Sequence, residues 1–215
     1  MKTEPRLFIR GNTELLYPPH VGEIQLHLAS EAHDLWLKTE DELQQIGLQP
    51  PFWAFAWAGG QGLARYILDN PHIVAGKRVV DFASGSGVVG IAAAKAGAAS
   101  VLAVDIDPWA KVAIQMNAEA NGVLLEITNA NVIGTHLDAD VLLAGDVFYD
   151  KGFAELLFPW FQDQEKRGVI VLLGDPGRAY LPKQGLIAKQ TYEVPVSRAL
   201  EDSEVKKTTV WQMAC

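Results

Sequence analysis

A chain of 215 residues, 49% of them hydrophobic, is long enough to bury one full α/β core. Its formal charge of −8, from 18 Lys and Arg against 26 Asp and Glu, argues against a protein that tracks a phosphate backbone, which needs clustered cations. The single cysteine, Cys215, rules out an internal disulfide and a Cys-based metal site, and no apolar run approaches the roughly 18 to 20 residues that cross a bilayer.

The opening segment, Met1 to Arg6, leads into no apolar signal, and Glu4, Glu14 and Glu23 are unlike a transit peptide. A cytoplasmic monomer that begins at its own initiator Met is expected, acting on a protein or small molecule and not on nucleic acid or membrane. Residues 1–50 are expected to form an N-terminal extension ahead of a domain spanning 51–215. In the extension Ile24, Leu26 and Leu28 alternate as in a strand, residues 32–43 carry a helical pattern, and Pro50-Pro51 breaks the chain. Residues Phe52 to Gln61 then place four aromatics before a Gly pair and a helix from Leu63 to Leu68. Such a run either lids a sheet or walls a pocket, Trp57 being the leading candidate for the wall.

From residue 78 the rhythm is regular. Arg78 to Ala83 reads as a buried strand and Ser86 to Gly97 as a helix apolar on nearly all sides. Ser100 to Ile106 is a second strand, followed by Asp107 as N-cap, Pro108 as first helical residue, and Gly122 as the stop. Glu126 to Asn131, Asp140 to Asp146 and Gly168 to Asp175 are further strands, with a helix around Phe153 to Phe161. Strands alternating with helices imply a parallel sheet covered on both faces. Leu186 to Val194 and Lys206 to Met213 have no long helix between them, so they are expected to pair antiparallel at the sheet edge. The expected fold is α/β, a doubly wound, mostly parallel seven-strand sheet.

Asp81-Phe82-Ala83-Ser84-Gly85-Ser86-Gly87-Val88-Val89-Gly90 holds a G-x-G-x-x-G pattern between strand and helix. Glycines there let the backbone turn sharply and approach a ligand, as nicotinamide and methyl-donor enzymes both require. Asp81 lies at the base of a loop longer than that of a dinucleotide fingerprint, and its charge would repel a pyrophosphate. The loop resembles the D/E-x-G-x-G-x-G motif of class I methyltransferases, with Ala83 where the first Gly usually stands. Asp105, about 20 residues on, is placed for ribose hydroxyls of either cofactor type. Asn129 to Val132 would lie beside an adenine, although an Asn there also suits a turn.

Asp146-Val147-Phe148-Tyr149 resembles the D/E-x-x-Y/F motif of seven-strand lysine methyltransferases. Together with residues Pro51 to Gln61, Asp105 to Pro108, Gly145 to Asp150 and Gly174-Asp175-Pro176-Gly177-Arg178, it resembles the electron transfer flavoprotein β-subunit lysine methyltransferase family from about residue 20 onward. Ala58 departs from the usual Pro. The resemblance implies S-adenosylmethionine as cofactor and the flavoprotein β subunit as acceptor. It also implies cofactor contacts at Trp57, Asp81, Ala83, Ser84, Gly85, Gly87, Asp105, Ile106, Asn131 and Gly145, with Asp146 and Tyr149 bordering the acceptor lysine. An alternative role for Asp146 is the cap of the helix that starts at Lys151, and Arg178 is expected on the surface or in contact with the acceptor protein. The five histidines have no metal-ligand spacing.

Overall fold

The computed structural model describes residues 4–30, 50–196 and 203–214. The helical pattern expected over 32–43 and Cys215 lie outside them. The chain runs through helix α1 (Pro5–Asn12), strands β1 (Glu14–Leu16) and β2 (Leu26–Leu28), a 3₁₀ turn at Phe52–Ala54 and helix α2 (Ala58–Asp69). It continues through β3 (Arg78–Phe82), α3 (Val88–Lys95), β4 (Ser100–Val104), α4 (Pro108–Ala120), β5 (Glu126–Thr128) and β6 (Val141–Gly145). Helix α5 (Lys151–Lys166) and strands β7 (Ile170–Asp175), β8 (Leu186–Pro195) and β9 (Val205–Met213) complete it.

Seven strands form one sheet in the order β5-β4-β3-β6-β7-β9-β8. The first five pair in parallel, and β9 enters antiparallel between β7 and β8. The late strands therefore pair as their patterning predicted. The chain moves outward from β3 to β4 and β5, then returns to β6 on the other side of β3. That reversal opens a crevice above the carboxyl ends of β3 and β6, where doubly wound sheets bind ligands.

Apolar side chains cover both sheet faces. Val79, Val101, Val141 and Leu143 point to the side of α2 and α3, while Val80, Phe82, Leu142 and Leu173 meet Leu157, Trp160 and Phe161 of α5. Helix α3 is buried through Val88, Val89, Ile91, Ala92 and Ala93, which explains why its sequence shows no polar face. Among the described helices none is long and apolar enough to cross a membrane.

The first residues are tied to the sheet domain. Helix α1, capped by the Glu4 carboxylate, lies against α4, with Phe8 edge-on to Trp109 at 4.9 Å and Arg6 paired to Glu119. Strands β1 and β2 form an antiparallel pair, and Val21, Ile24 and Leu26 are fully buried. The fully buried Asn117 carboxamide accepts from the His27 N–H at 2.7 Å and donates to Ser86 O at 2.8 Å. One side chain thus links the segment before residue 30 to the glycine loop.

Among the boundaries that differ from the sequence reading, two bear on the site. Strand β5 ends at Thr128 and not at Asn131. Helix α2 begins at Ala58, five residues before Leu63, so the Gly pair and Gln61 are helical. Glycine is a poor helix former in isolation, but here it allows backbone contact. A Cβ on Gly59 would collide with Gly174 O and with the Asp146 carboxylate, and one on Gly145 would lie 2.8 Å from Gly60 Cα.

Candidate active site

The loop after β3 is built from three left-handed residues, Ala83 (φ 51°), Gly85 (φ 55°) and Gly87 (φ 83°). Ala83 adopts at some cost a conformation that the glycines adopt freely. Asp81 lies beneath this loop at 1% exposure. Its Oδ2 accepts from the Ser84 hydroxyl and from the Gly90 N–H at 2.9 Å. Gly90 leaves little room for a side chain, since a Cβ would sit 3.0 Å from that oxygen. Burial pushes the Asp81 carboxyl up to about 7; the Ser84 and Gly90 donors oppose the rise and the charge of Asp105 adds to it.

Asp105 closes the far side of the loop. Its Oδ2 accepts from the Gly85 N–H at 2.8 Å and its Oδ1 from the Asp107 N–H at 3.0 Å. Burial also raises this carboxyl, against those two donors. Asp107 caps α4 as expected, accepting from the Trp109 N–H at 2.8 Å. The space over Gly85 is open: a Cβ there would meet only Phe52 O, at 3.9 Å. That cradle is edged by the Asp105 carboxylate and by Ile106, which is 71% exposed. A hydroxyl acceptor next to an apolar side chain, at a loop that admits close backbone approach, fits the ribose and base of S-adenosylmethionine.

The second half of the site lies across the crevice. Asp146 follows β6 in a left-handed conformation (φ 57°), with its N–H donating to Gly174 O at 2.9 Å. This turn aims the carboxylate at the start of α2, where Trp57 is the N-cap without a side-chain acceptor of its own. Asp146 Oδ2 accepts from the Gly60 N–H at 3.1 Å, supplying the missing cap from another element. Its Oδ1 accepts from Arg178 Nε at 2.8 Å and Nη2 at 2.5 Å.

Aromatic rings gather beside this pair. Phe52 lies 5.9 Å from Trp57 and 5.8 Å from Tyr149, and Trp57 Nε1 donates to Phe52 O at 3.1 Å. The Arg178 guanidinium is 5.9 Å from the Trp57 ring centre, within cation–π reach. Phe52 and Tyr149 remain 47% and 53% exposed. The Tyr149 phenol is pushed up by burial first and then by the charges of Asp150 and Asp105. Phe52, whose carbonyl faces Gly85 and whose ring faces Tyr149, spans the two halves.

The structure gathers Asp81, Ala83, Ser84, Gly85, Gly87 and Asp105 around the loop, with Ile106 at its edge, and Trp57, Gly145, Asp146 and Tyr149 across from them. Asn131 stands two strands away from β3, just beyond edge strand β5, where its Oδ1 accepts from the Ile133 N–H at 3.1 Å and closes a turn. One alternative is excluded and one reading is corrected. Asp150, not Asp146, caps α5, accepting from the Phe153 N–H at 2.8 Å. Arg178 is not a surface residue but the partner of Asp146, brought there because Asp175 Oδ1 accepts from the N–H groups of Gly177 and Arg178 at 2.6 and 2.7 Å. One signal for the second was present: Gly145-Asp146 and Gly174-Asp175 are identical dipeptides whose glycines pair across neighbouring strands. Among the described residues no group of three or more His, Cys, Asp or Glu is placed to hold a metal ion.

Comparison with known proteins agrees with this geometry. The profile of the ribosomal protein L11 methyltransferase (PrmA) family matches residues 65–147, the stretch that holds the cofactor loop. The fold resembles magnesium protoporphyrin IX methyltransferase from Synechocystis PCC 6803 with bound S-adenosylmethionine, at a TM-score of 0.52 and 15% identity, over 72% of this chain and 78% of that one. Two curated relatives match nearly the whole sequence. The electron transfer flavoprotein β-subunit lysine methyltransferase of Xenopus laevis is 38% identical over 97% of this chain and 87% of its own. The human protein of the same name is 36% identical over 97% and 81%. The chain therefore belongs to the electron transfer flavoprotein β-subunit lysine methyltransferase family and is an S-adenosylmethionine-dependent methyltransferase.

Proposed function

We propose that this protein-lysine methyltransferase acts on lysine side chains of the electron transfer flavoprotein β subunit, as a cytoplasmic monomer whose catalytic domain spans residues 51–215. The observation that carries the reading is the cluster of Phe52, Trp57 and Tyr149 rings at the carboxyl end of the sheet, joined to the Asp146–Arg178 pair through the guanidinium beside the Trp57 ring. An aliphatic stem with a terminal amine suits such a cluster: the rings cover its methylenes and the carboxylate meets its nitrogen.

S-adenosylmethionine, when bound, supplies an electrophilic methyl group on a sulfonium. Trp57, Asp81, Ala83, Ser84, Gly85, Gly87, Asp105, Ile106, Asn131 and Gly145 are the residues proposed to hold it. Asp105 would accept from ribose hydroxyls, and Asp81 would brace the loop from below while placing negative charge under the amino-acid end. Asp146 and Tyr149 border the acceptor. The remaining work is alignment and selection of an uncharged amine, since a free lysine with pKa near 10.4 is almost wholly protonated at neutral pH. A partly apolar wall of aromatic rings favours the neutral form.

Remote contacts with a folded acceptor would help align the amine. Initial rates on the purified flavoprotein and on a short peptide carrying the same lysine test this: the peptide should lose turnover as well as affinity. A peptide as good as the protein would contradict recognition of a folded surface. A ribosomal protein acceptor is the second reading, favoured by the profile match over residues 65–147. Label from S-adenosylmethionine on a ribosomal protein, in lysate from cells lacking the enzyme, would support it instead.

A further inference from the structure

The Asp146–Arg178 pair has a consequence for how the acceptor enters, and it rests on the lysine reading above. A carboxylate alone beside the aromatic cluster would attract a lysine ammonium and keep it protonated. At about 4 Å and an effective dielectric near 20, that attraction shifts the protonation equilibrium by roughly a thousandfold. A protonated amine has no lone pair for the transfer. Asp146 is not alone, however. Both the Nε and Nη2 of Arg178 converge on its Oδ1, the side chains are only 10% and 21% exposed, and the guanidinium is backed by Trp57.

We propose that Arg178 is a positioning residue whose charge offsets that of Asp146, so that the pair receives the acceptor lysine as a neutral amine. Each described element around the pair contributes to the balance. The end of β7 brings Asp175, whose Oδ1 is engaged by the loop N–H groups of Gly177 and Arg178. The β6 loop brings Tyr149 and Asp150, the latter committed to the cap of α5. Asp105 acts on Tyr149 from the β4 loop. The first turn of α2 carries no acidic residue, only the positive end of the helix dipole and the Gly60 N–H on Asp146 Oδ2. Among the described residues, Arg178 is the cation placed directly on the carboxylate, and removing its charge lets Asp146 attract an ammonium more strongly.

Single-turnover methyl transfer to the purified flavoprotein β subunit, followed from pH 6 to pH 10, tests this in wild type, R178Q, R178K and D146N. R178Q keeps N–H donors and loses the charge; R178K keeps the charge and loses the fork. The rising limb of R178Q should move up by about one pH unit or more, so that its rate is about tenfold or more lower at neutral pH and recovers toward wild type in alkali. R178K should keep the wild-type limb. D146N, which leaves Arg178 uncompensated, should lower the alkaline plateau and move the limb down, and the direction of that shift carries the test if R178Q does not fold. S-adenosylhomocysteine affinity, measured by calorimetry, should be unchanged in the Arg178 variants. An R178Q rate lowered equally at every pH, or an R178K limb displaced like that of R178Q, would overturn the proposal while leaving the lysine reading intact. Wild-type enzyme that leaves lysines unmodified would overturn both.

Discussion

Asp146, at the end of one strand, caps a helix that begins nearly 90 residues earlier, through the 3.1 Å bond from the Gly60 N–H to its Oδ2. Its other oxygen holds Arg178. The carboxylate thus joins α2, β6 and the loop after β7 at the mouth of the crevice. Asp146→Asn keeps an acceptor for Gly60 and nearly the same shape. It should leave S-adenosylhomocysteine affinity within about 0.5 kcal/mol of wild type and lower turnover about tenfold or more, as expected for a group that meets the amine and not the donor. Calorimetry beside steady-state rates checks the split; equal loss of binding and turnover would make Asp146 a cofactor residue.

Asp105→Ala should weaken S-adenosylhomocysteine binding by about 1.5–3 kcal/mol, because it removes charge-assisted hydrogen bonds to ribose. Part of the loss would come from the loop, since Gly85 and Asp107 both donate to this carboxylate. The denaturation midpoint should stay close to that of wild type. Unchanged affinity by calorimetry would refute the ribose assignment.

Two Gly→Ala substitutions should be opposite in sign, one at the contact between α2 and the sheet and one away from it. Gly59→Ala would drive a methyl into Gly174 O and the Asp146 carboxylate, where backbone cannot yield, and should destabilise by about 3 kcal/mol or more. Gly11→Ala, at an exposed position of helix α1 with nothing within 4 Å of the added atom, should stabilise by about 0.5–1 kcal/mol. Urea denaturation of both variants reads the difference directly.

Asp81 gives the stability a distinct pH dependence. Its carboxyl is raised from 3.8 to about 7 in the folded protein, so the folded state binds the proton more tightly than the unfolded state. That contribution is fully present below about pH 4 and is lost as pH rises through about 7, with a limiting slope of about 1.4 kcal/mol per pH unit. Asp140, lowered to about 2 by Arg78, acts in a separate window below pH 4. Asp81→Asn should therefore gain stability relative to wild type from pH 4 to pH 7 and hold a constant difference above it. In wild type, S-adenosylhomocysteine affinity should rise across the same interval, since its cationic amino group favours ionised Asp81, and Asp81→Asn should lose that rise. A pH-independent stability difference between the two proteins would contradict the buried, protonated carboxyl.

Strong local signals made the sheet legible from sequence. Apolar runs at Val79–Val80, Val101–Val104 and Val141–Ala144 fix buried strands, and Asp107-Pro108 fixes the start of α4 in the register observed. Glycine-rich and irregular segments were less legible. The Gly59-Gly60 start of α2 conflicts with helix propensity and is helical only because Gly145 and Gly174 let it approach the sheet. Arg178 resembled a surface cation because its partner lies 32 residues away and only the repeated Gly-Asp dipeptide hints that the two loops meet. Asp81 was recognisable as a loop carboxylate, but its burial and its bond to Ser84 depend on the packing of α3.

The most direct test of the central claim is mass spectrometry of purified, folded electron transfer flavoprotein after incubation with this enzyme and isotopically labelled S-adenosylmethionine. The account predicts label on lysine side chains of the β subunit, greatly reduced with Asp146→Asn. Label confined to another protein, to nucleic acid or to a small molecule would contradict it.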